Sequence, residues 1–274
     1  AVTFNSSTLS SQSAVYQALF NTQRWSGSLR SVPLNGFTGD VILNCTEGDD
    51  NCWYAERMLD NQSHSSRTIL TYNPVSTQGV DFDFDSSLDY ATLISNGAMP
   101  NDKIPLTMID DFCESHDIPF PCNTSTLLDA TKLAANVDYM ADLVDYLRGD
   151  RTHEATASSR DFRIRASKLG DIVNSSPVYV GKPALGWPSG GLFPEDATET
   201  SYNTWINSGT LADGSLVKER MPIVYVAAND CMLHGFQTEQ TNPATPTNDA
   251  GEEIFAFIPS GTTSTSNNAG LHYL

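Results

Sequence analysis

The chain is poor in basic residues and lacks features that mark several common classes of protein. Its 274 residues include 15 Lys plus Arg against 33 Asp plus Glu, which gives a net charge of −18. Nucleic acids and anionic membrane surfaces both attract clustered basic side chains, so this composition excludes them as partners. No apolar run approaches the roughly 20 residues of a membrane-spanning helix. No glycine-rich phosphate loop follows a strand-like run, which argues against a cytosolic nucleotide-binding enzyme.

A signal peptide is also missing from the sequence. The chain opens at Ala1-Val2-Thr3 and runs into a polar segment, without the charged and apolar regions of a leader. Only 18% of the residues are charged, and serine and threonine are abundant. We therefore expect a processed or excised piece of an exported protein.

Four of the five cysteines fall into two local pairs. Cys45 and Cys52 flank an acidic loop, and Cys113 and Cys122 flank a second loop. Neither pair has the C-x-x-C spacing typical of zinc sites, so metal binding is the less favoured alternative. Two local disulfides in an oxidising compartment fit the exported composition better. Cys231 has apolar neighbours and is predicted to be a buried, inert thiol outside both bridges.

An acidic segment near residue 85 has two interpretations. Four aspartates occupy positions one, three, five and nine of a calcium-loop spacing, namely Asp81, Asp83, Asp85 and Asp89. Position six of that loop is Ser86 where glycine is expected, and no glutamate closes the loop. The alternation with Phe82 and Phe84 instead favours a strand that turns both phenylalanines inward. Calcium binding stays open as the alternative.

One helix is clear in the sequence, at about residues 125–148. Its apolar residues recur at helical spacing and share one face: Leu128, Leu133, Val137, Met140, Val144 and Leu147. Arg148 and Gly149 supply the cation and the glycine that end a helix. The apolar face is expected to pack on the core.

The second half contains four predicted strands, at 177–180, 223–227, 232–237 and 253–258. Turn residues and one long insertion separate them, as in a four-stranded propeller blade. Strands near 25–34, 41–43, 67–72 and 80–84 are predicted to form an earlier, irregular blade. The predicted fold is mainly β, with antiparallel four-stranded blades of an incomplete β-propeller and the helix as an insertion. Residues 1–150 and 151–274 are the expected divisions of what is in effect one truncated propeller.

The alternation within these strands predicts which side chains are buried. Val178 and Val180 should share a buried face, and so should Val224 and Val226. The turn at residues 229–231 is expected to be exposed and tolerant of substitution.

Several segments resemble one known family. Residues 162–181, including Asn174-Ser175-Ser176-Pro177, closely resemble the opening of the propeller region in PilC/PilY-type proteins. Residues 224–236 and 251–260 are similar to the signatures that follow in that family. Residues 139–150 also resemble it, and residues 18–29 do so more weakly. The order of the three second-half signatures is specific.

The resemblance implies a function and a location. PilC/PilY-type proteins are type IV pilus biogenesis factors and adhesins of the pilus tip. It therefore implies a non-catalytic protein of the periplasm, outer membrane or cell surface that contacts pilin or minor pilin subunits and a host or abiotic surface. It also implies calcium as a cofactor, with the main site outside this segment. The remaining propeller blades are a further expected partner, because the second-half signatures end near residue 260.

The family usually has glycine where this chain has Cys231, at the tip of a hairpin. A backbone with positive φ would cost a cysteine about 1 kcal/mol there, so a rearranged turn is expected.

Two other functions remain as alternatives. Quinoprotein dehydrogenases have similar propeller strands, but they place tryptophan near the position of Phe255, and no adjacent cysteine pair is present. A glycan-binding surface domain is the other alternative, with Trp187 and Trp205 as a sugar platform. No catalytic residue is predicted, since the five histidines are scattered and His234 is expected to be a structural residue in a strand.

Overall fold

The computed structural model describes residues 1–4, 13–45, 47, 51–85, 88, 100–104, 130–154, 162–183, 201–241 and 248–262. The strands of these residues are β1 (Val2–Phe4), β2 (Ala14–Asn21), β3 (Ser26–Pro33), β4 (Trp53–Tyr54), β5 (Ile69–Asn73), β6 (Gln78–Asp81), β7 (Val178–Val180), β8 (Ile223–Ala227), β9 (Leu233–Gln237) and β10 (Glu253–Ile258). The helices are α1 (Ala55–Asn61), α2 (Ala130–Arg148) and α3 (Tyr202–Ser208). Single 3-10 turns lie at His64–Ser66, Val217–Glu219 and Ser260–Thr262.

Strands β1 to β4 form an antiparallel sheet in chain order. The period-two pattern predicted for residues 25–34 is present in β3, where Leu29 is fully buried between half-buried neighbours. Gly27 is required in this strand, because a Cβ there would lie 2.2 Å from the carbonyl oxygen of Gly170. The glycine therefore allows the segment before β7 to run against the end of β3.

The second sheet has six strands in the order β6-β5-β10-β9-β8-β7. Its last four strands are antiparallel neighbours, and their positions match the four predicted strands of the second half. The mainly β fold with antiparallel sheets is thus confirmed, and the sheet extends beyond four strands.

The grouping predicted for the earlier blade is wrong. β3 lies in the four-stranded sheet, whereas β5 and β6 join the second-half sheet, and Val41 makes only an isolated bridge to Leu34. β5 pairs in parallel with β10, with Ile69 beside Ala256. Both of these side chains are buried in the same core, and a hydrophobic pattern along one strand does not specify such a distant neighbour. The division at residues 150 and 151 stays a prediction.

Strand β7 turns a different face inward from the one predicted. Val224 and Val226 are buried as expected, but Val178 is 56% exposed and Val180 is only half-buried. Tyr179 lies opposite Val224 and therefore on the same face of the sheet. Its ring stacks on Tyr16, with 5.6 Å between the ring centroids.

Two apolar clusters hold the sheets and helices together. One lies between the two sheets and combines Tyr16, Leu29 and Trp53 with Val224 and Phe236. The other lies between the six-stranded sheet and α2, and its residues include Ile69, Phe82, Met140, Val144 and Ile258. Both clusters lie on the same face of the six-stranded sheet, because Val226, His234 and Ala256 are register partners across β8, β9 and β10.

Helix α2 confirms the predicted helix from Ala130 to Arg148 and the last part of its apolar face, since Met140, Val144 and Leu147 are buried. Leu128 and the side chains of Leu133 and Val137 lie outside what the structure describes, so their part of the face stays a prediction. Gly149 ends the helix with a φ of 114°. The amide of Asp150 donates to the carbonyl of Asp145, and the amide of Gly149 donates to that of Tyr146, a common glycine-ended helix terminus. Among the described helices, none is both long enough and apolar enough to span a membrane.

Candidate functional site

Charged side chains lie buried where β5, β9 and β10 come together. Arg67 and Glu253 form a bidentate ion pair, with Nε 2.7 Å from Oε2 and Nη2 2.9 Å from Oε1. Their side chains are 1% and 0% exposed. An ion pair so fully removed from solvent is stable only when its remaining polar atoms also make hydrogen bonds.

His234 extends this ion pair towards the β8–β9 turn. Its Nδ1 lies 2.6 Å from Oε1 of Glu253, and its Nε2 lies 3.0 Å from Oδ2 of Asp230. Asp230 also accepts a hydrogen bond from the amide of Gly170. We call Arg67, Glu253, His234 and Asp230 the buried charge network.

The electrostatics of the network keep His234 protonated at neutral pH. Burial opposes the charged imidazole, but the charge and hydrogen bond of Asp230, with the hydrogen bond to Glu253, outweigh it and raise the pKa of His234 to about 9. Burial likewise opposes the charge of Glu253, yet the Arg67 guanidinium lowers its pKa to about 2. The imidazolium therefore donates from both ring nitrogens.

Arg148 connects the network to helix α2. Its Nη1 donates to the carbonyl of Phe82 at 2.6 Å, and its Nη2 donates to the carbonyl of Arg67 at 2.8 Å. In return, Nη1 of Arg67 donates to the carbonyl of Arg148 at 2.6 Å. The end of α2 is thus joined to β5 by side chains that are almost fully buried.

This arrangement is suited to holding structure. His234 has no exposed surface, and both of its ring nitrogens already contact carboxylates. A general base must reach a substrate proton, and His234 in this geometry does not reach solvent. The network instead links β5, β9, β10 and α2 to the segment that precedes β7.

Asn229 is exposed, as expected for the turn at residues 229–231, but the side chains of Asn229 and Asp230 are both engaged, which argues against the expected tolerance of substitution. Asp230 supplies the network's last carboxylate, and Nδ2 of Asn229 donates to Oδ2 of Asp171 at 2.7 Å. The turn therefore holds the 170–171 segment in place. The sequence did not predict these contacts, because the residue types of a polar turn do not show whether its side chains bind another segment.

The cysteine predictions are tested only in part. Cys45 and Cys52 form a disulfide, with a Cα–Cα distance of 6.0 Å, as predicted. Cys113 and Cys122 lie outside the described residues, so their pairing stays a prediction. Cys231 lies outside the Cys45–Cys52 bridge and is half-buried rather than buried. Its φ is 63° at the hairpin tip, so the turn keeps the positive φ of a glycine position and the expectation of a rearranged turn is wrong.

In the acidic segment, Phe82 and Phe84 turn inward, as predicted for a strand. β6 ends at Asp81, Phe82 is fully buried and Phe84 packs against the same core. Oδ2 of Asp85 lies 2.9 Å from Nζ of Lys103, and Oδ1 of Asp83 lies 3.9 Å from Nε of Arg148.

These contacts do not fit a calcium site within the described part of the segment. No group of three or more His, Cys, Asp or Glu among the described residues is placed to hold a metal ion. Asp89 lies outside those residues, and calcium binding by the chain stays a prediction.

The two loop tryptophans do not form a described site. Trp187 lies outside the described residues, and Trp205 is 40% exposed on α3, beside Tyr202. The sugar platform predicted from this pair therefore stays a prediction.

The last four strands of the second half form an antiparallel sheet of the kind found in a propeller blade. Residues 169–270 match the family model described as the PilY1 beta-propeller domain. The resemblance of the second half to PilC/PilY-type proteins is thereby confirmed.

Curated proteins extend the similarity. A "Type IV pilus biogenesis factor PilY1 homolog" of Xylella fastidiosa is 38% identical over 141 residues, which cover 50% of this chain and 10% of the relative. The "Type IV pilus biogenesis factor PilY1" of Pseudomonas aeruginosa strain PAK is 43% identical over 120 residues, covering 43% of this chain and 8% of the relative. A further match to a Xylella fastidiosa homolog is 29% identical over 256 residues, or 90% of this chain and 14% of the relative. The matched segments thus span a small part of these relatives, and no solved structure matches the chain significantly.

Proposed function

We propose that this chain is part of a type IV pilus biogenesis protein that acts as a non-catalytic scaffold at the pilus tip or cell envelope. The observation that carries the proposal is the match of residues 169–270 to the PilY1 propeller family. The curated relatives are named for the same process. The chain corresponds to at most 14% of the length of these three relatives, so the proposal concerns the protein of which it forms a part.

The interior of the chain supports a scaffold role. Two strongly perturbed groups of the described interior, Glu253 and His234, are fully engaged with each other and with Arg67 and Asp230. Perturbed groups in enzymes usually face a cleft, whereas these are enclosed by the sheets. They stabilise the blade and are not presented to a substrate.

Export to the envelope is supported by the chemistry of the chain. The Cys45–Cys52 disulfide is the kind of bond that persists in an oxidising compartment. We propose the periplasm, outer membrane or cell surface as the location, and pilin or minor pilin subunits together with host or abiotic surfaces as partners. The remaining blades of the same propeller are expected to cover the open sheet edges, such as β7.

The test is deletion of the gene that encodes this chain, followed by complementation. We expect loss of surface pili and of adhesion on deletion, and recovery of both with the intact gene. Whole-cell pilin should persist in the deletion strain, because the defect is in assembly and not in pilin synthesis. Normal piliation and adhesion after deletion would show that the proposal is wrong.

A further inference from the structure

A pocket lies between the β2–β3 turn and the segment that precedes β7. Its volume is about 260 Å³. The residues that carry the argument line its wall: Trp25, Arg163, Lys168, Asp171 and Asn229. Pockets for drug-sized ligands run from about 300 to 1,000 Å³, so this one suits a ligand of about one ring.

The pocket carries free positive charge in a strongly acidic protein. Arg163 is exposed and makes no side-chain hydrogen bond or ion pair with the described part of the chain. Nζ of Lys168 donates to the carbonyl oxygens of Asp60 and Gln62, at 3.1 and 2.5 Å. The lining also holds Arg165, Asp171 and Asp230, so three cations meet two carboxylates, and this local excess in a chain of net charge −18 favours an anionic ligand.

An aromatic ring stands at the same pocket. Trp25 is 62% exposed and has a φ of 48°, a backbone conformation that bulky residues seldom adopt. An exposed indole offers an apolar face for stacking and an N–H at its edge. It can therefore cover one face of a ring-shaped ligand.

The same pocket offers polar groups for hydroxyls. Asn229 is exposed, and its Nδ2 donates to Oδ2 of Asp171 at 2.7 Å, so the amide is fixed in orientation. A fixed amide and a carboxylate in the same pocket as an aromatic ring can bind the hydroxyl-rich edge of a sugar.

We propose that this pocket binds a sugar that carries a carboxylate, of the uronic acid class. The ring would stack on Trp25, the carboxylate would accept hydrogen bonds from Arg163, and the hydroxyls would meet Asn229 and Asp171. An acidic peptide fits less well, because a peptide needs an extended groove and this pocket holds about one ring. The site does not depend on the role in pilus biogenesis.

The test compares two ligands that differ only at one carbon. Methyl β-D-glucuronide carries a carboxylate where methyl β-D-glucoside carries a hydroxymethyl group. By titration calorimetry on the full chain, we expect the glucuronide to bind about tenfold more tightly, the gain typical of one charge-assisted Arg–carboxylate contact. Arg163→Gln should remove this difference, and Trp25→Ala should weaken both ligands about tenfold.

The controls are matched by chemistry and exposure. Phe37→Ala removes an exposed aromatic ring outside the pocket, and Lys218→Gln removes an exposed cation elsewhere, so both variants should bind like the parent chain. Circular dichroism checks that each variant is folded. The proposal is overturned if the glucuronide shows no saturable binding, if the two sugars bind equally, or if folded Trp25→Ala and Arg163→Gln proteins bind like the parent. Binding of a tetraglutamate peptide with no binding of the glucuronide would also overturn it.

Discussion

Glu253 is in a buried ion pair and Glu239 is in an exposed one. Comparing the two therefore measures how burial changes the contribution of an ion pair to stability. Glu253 is fully buried with Arg67, whereas Glu239 and Lys182 pair at the surface, 48% and 47% exposed. Glu253→Gln should destabilise the fold by about 3–5 kcal/mol, because it leaves Arg67 buried without a counter-charge. Glu239→Gln should cost less than about 1 kcal/mol. Urea unfolding measures both, and similar losses in the two variants would contradict the network.

The pKa of His234 predicts how stability depends on pH. The imidazole has a pKa of about 9 when folded, against 6.5 for the unperturbed group. Its contribution is therefore complete below pH 6.5 and is lost as the pH rises through 9, on the order of 3 kcal/mol in all. Urea midpoints between about pH 6 and about pH 10 should fall in the parent chain. In His234→Gln, the urea midpoint should depend much less on pH. An unchanged pH dependence would show that other groups cause it.

At the scale of single residues, the sequence predicted the local features and missed the distant ones. The Cys45–Cys52 bridge closes a loop of a few residues, so spacing sufficed to propose it. Arg67 and Glu253 are 186 residues apart, and neither has a neighbour in sequence that signals the pairing. The sequence predicted a structural role for His234, but only the structure shows that Glu253 and Asp230 are its partners.

At the scale of elements, strand positions were predicted well and their neighbours less so. Apolar runs and turn residues located β8, β9 and β10, because those signals are local. The parallel pairing of β5 with β10 joins segments from opposite ends of the chain, which no local pattern specifies. In β7, three residues are too few for alternation to decide which face is buried.

The register of β7 yields a paired prediction. Val178→Asp places a charge on a side chain that is already 56% exposed, so stability should change by less than about 0.5 kcal/mol. Tyr179→Ala removes a ring that stacks on Tyr16 and should cost about 1–3 kcal/mol. Urea unfolding of both proteins measures the difference. A larger loss of stability in Val178→Asp than in Tyr179→Ala would show that Val178 lies on the buried face, as first expected from the sequence.

At the scale of the whole molecule, the resemblance to one family predicted more than the hydrophobic pattern did. The ordered signatures in residues 162–260 indicated a PilC/PilY-type propeller, and the family match covers residues 169–270. The way the first half adds β5 and β6 to that propeller sheet was not predicted. One face of the six-stranded sheet packs partly on α2 and partly on β1–β4, so the two halves of the chain depend on each other.

The central claim is that the protein serves pilus biogenesis through this folded core. The most direct measurement is surface piliation together with protein level in cells whose full-length gene carries either Val224→Asp or Val75→Asp. Val224 is fully buried between the sheets, so its aspartate should unfold the blade, deplete the protein and abolish pili. Because the remaining blades are expected to cover β7, the control in the full-length protein is Val75→Asp, at a side chain that is 81% exposed in the turn between β5 and β6. The Val75→Asp protein should keep a normal level and normal piliation. Abundant, folded Val224→Asp protein with normal piliation would contradict the claim.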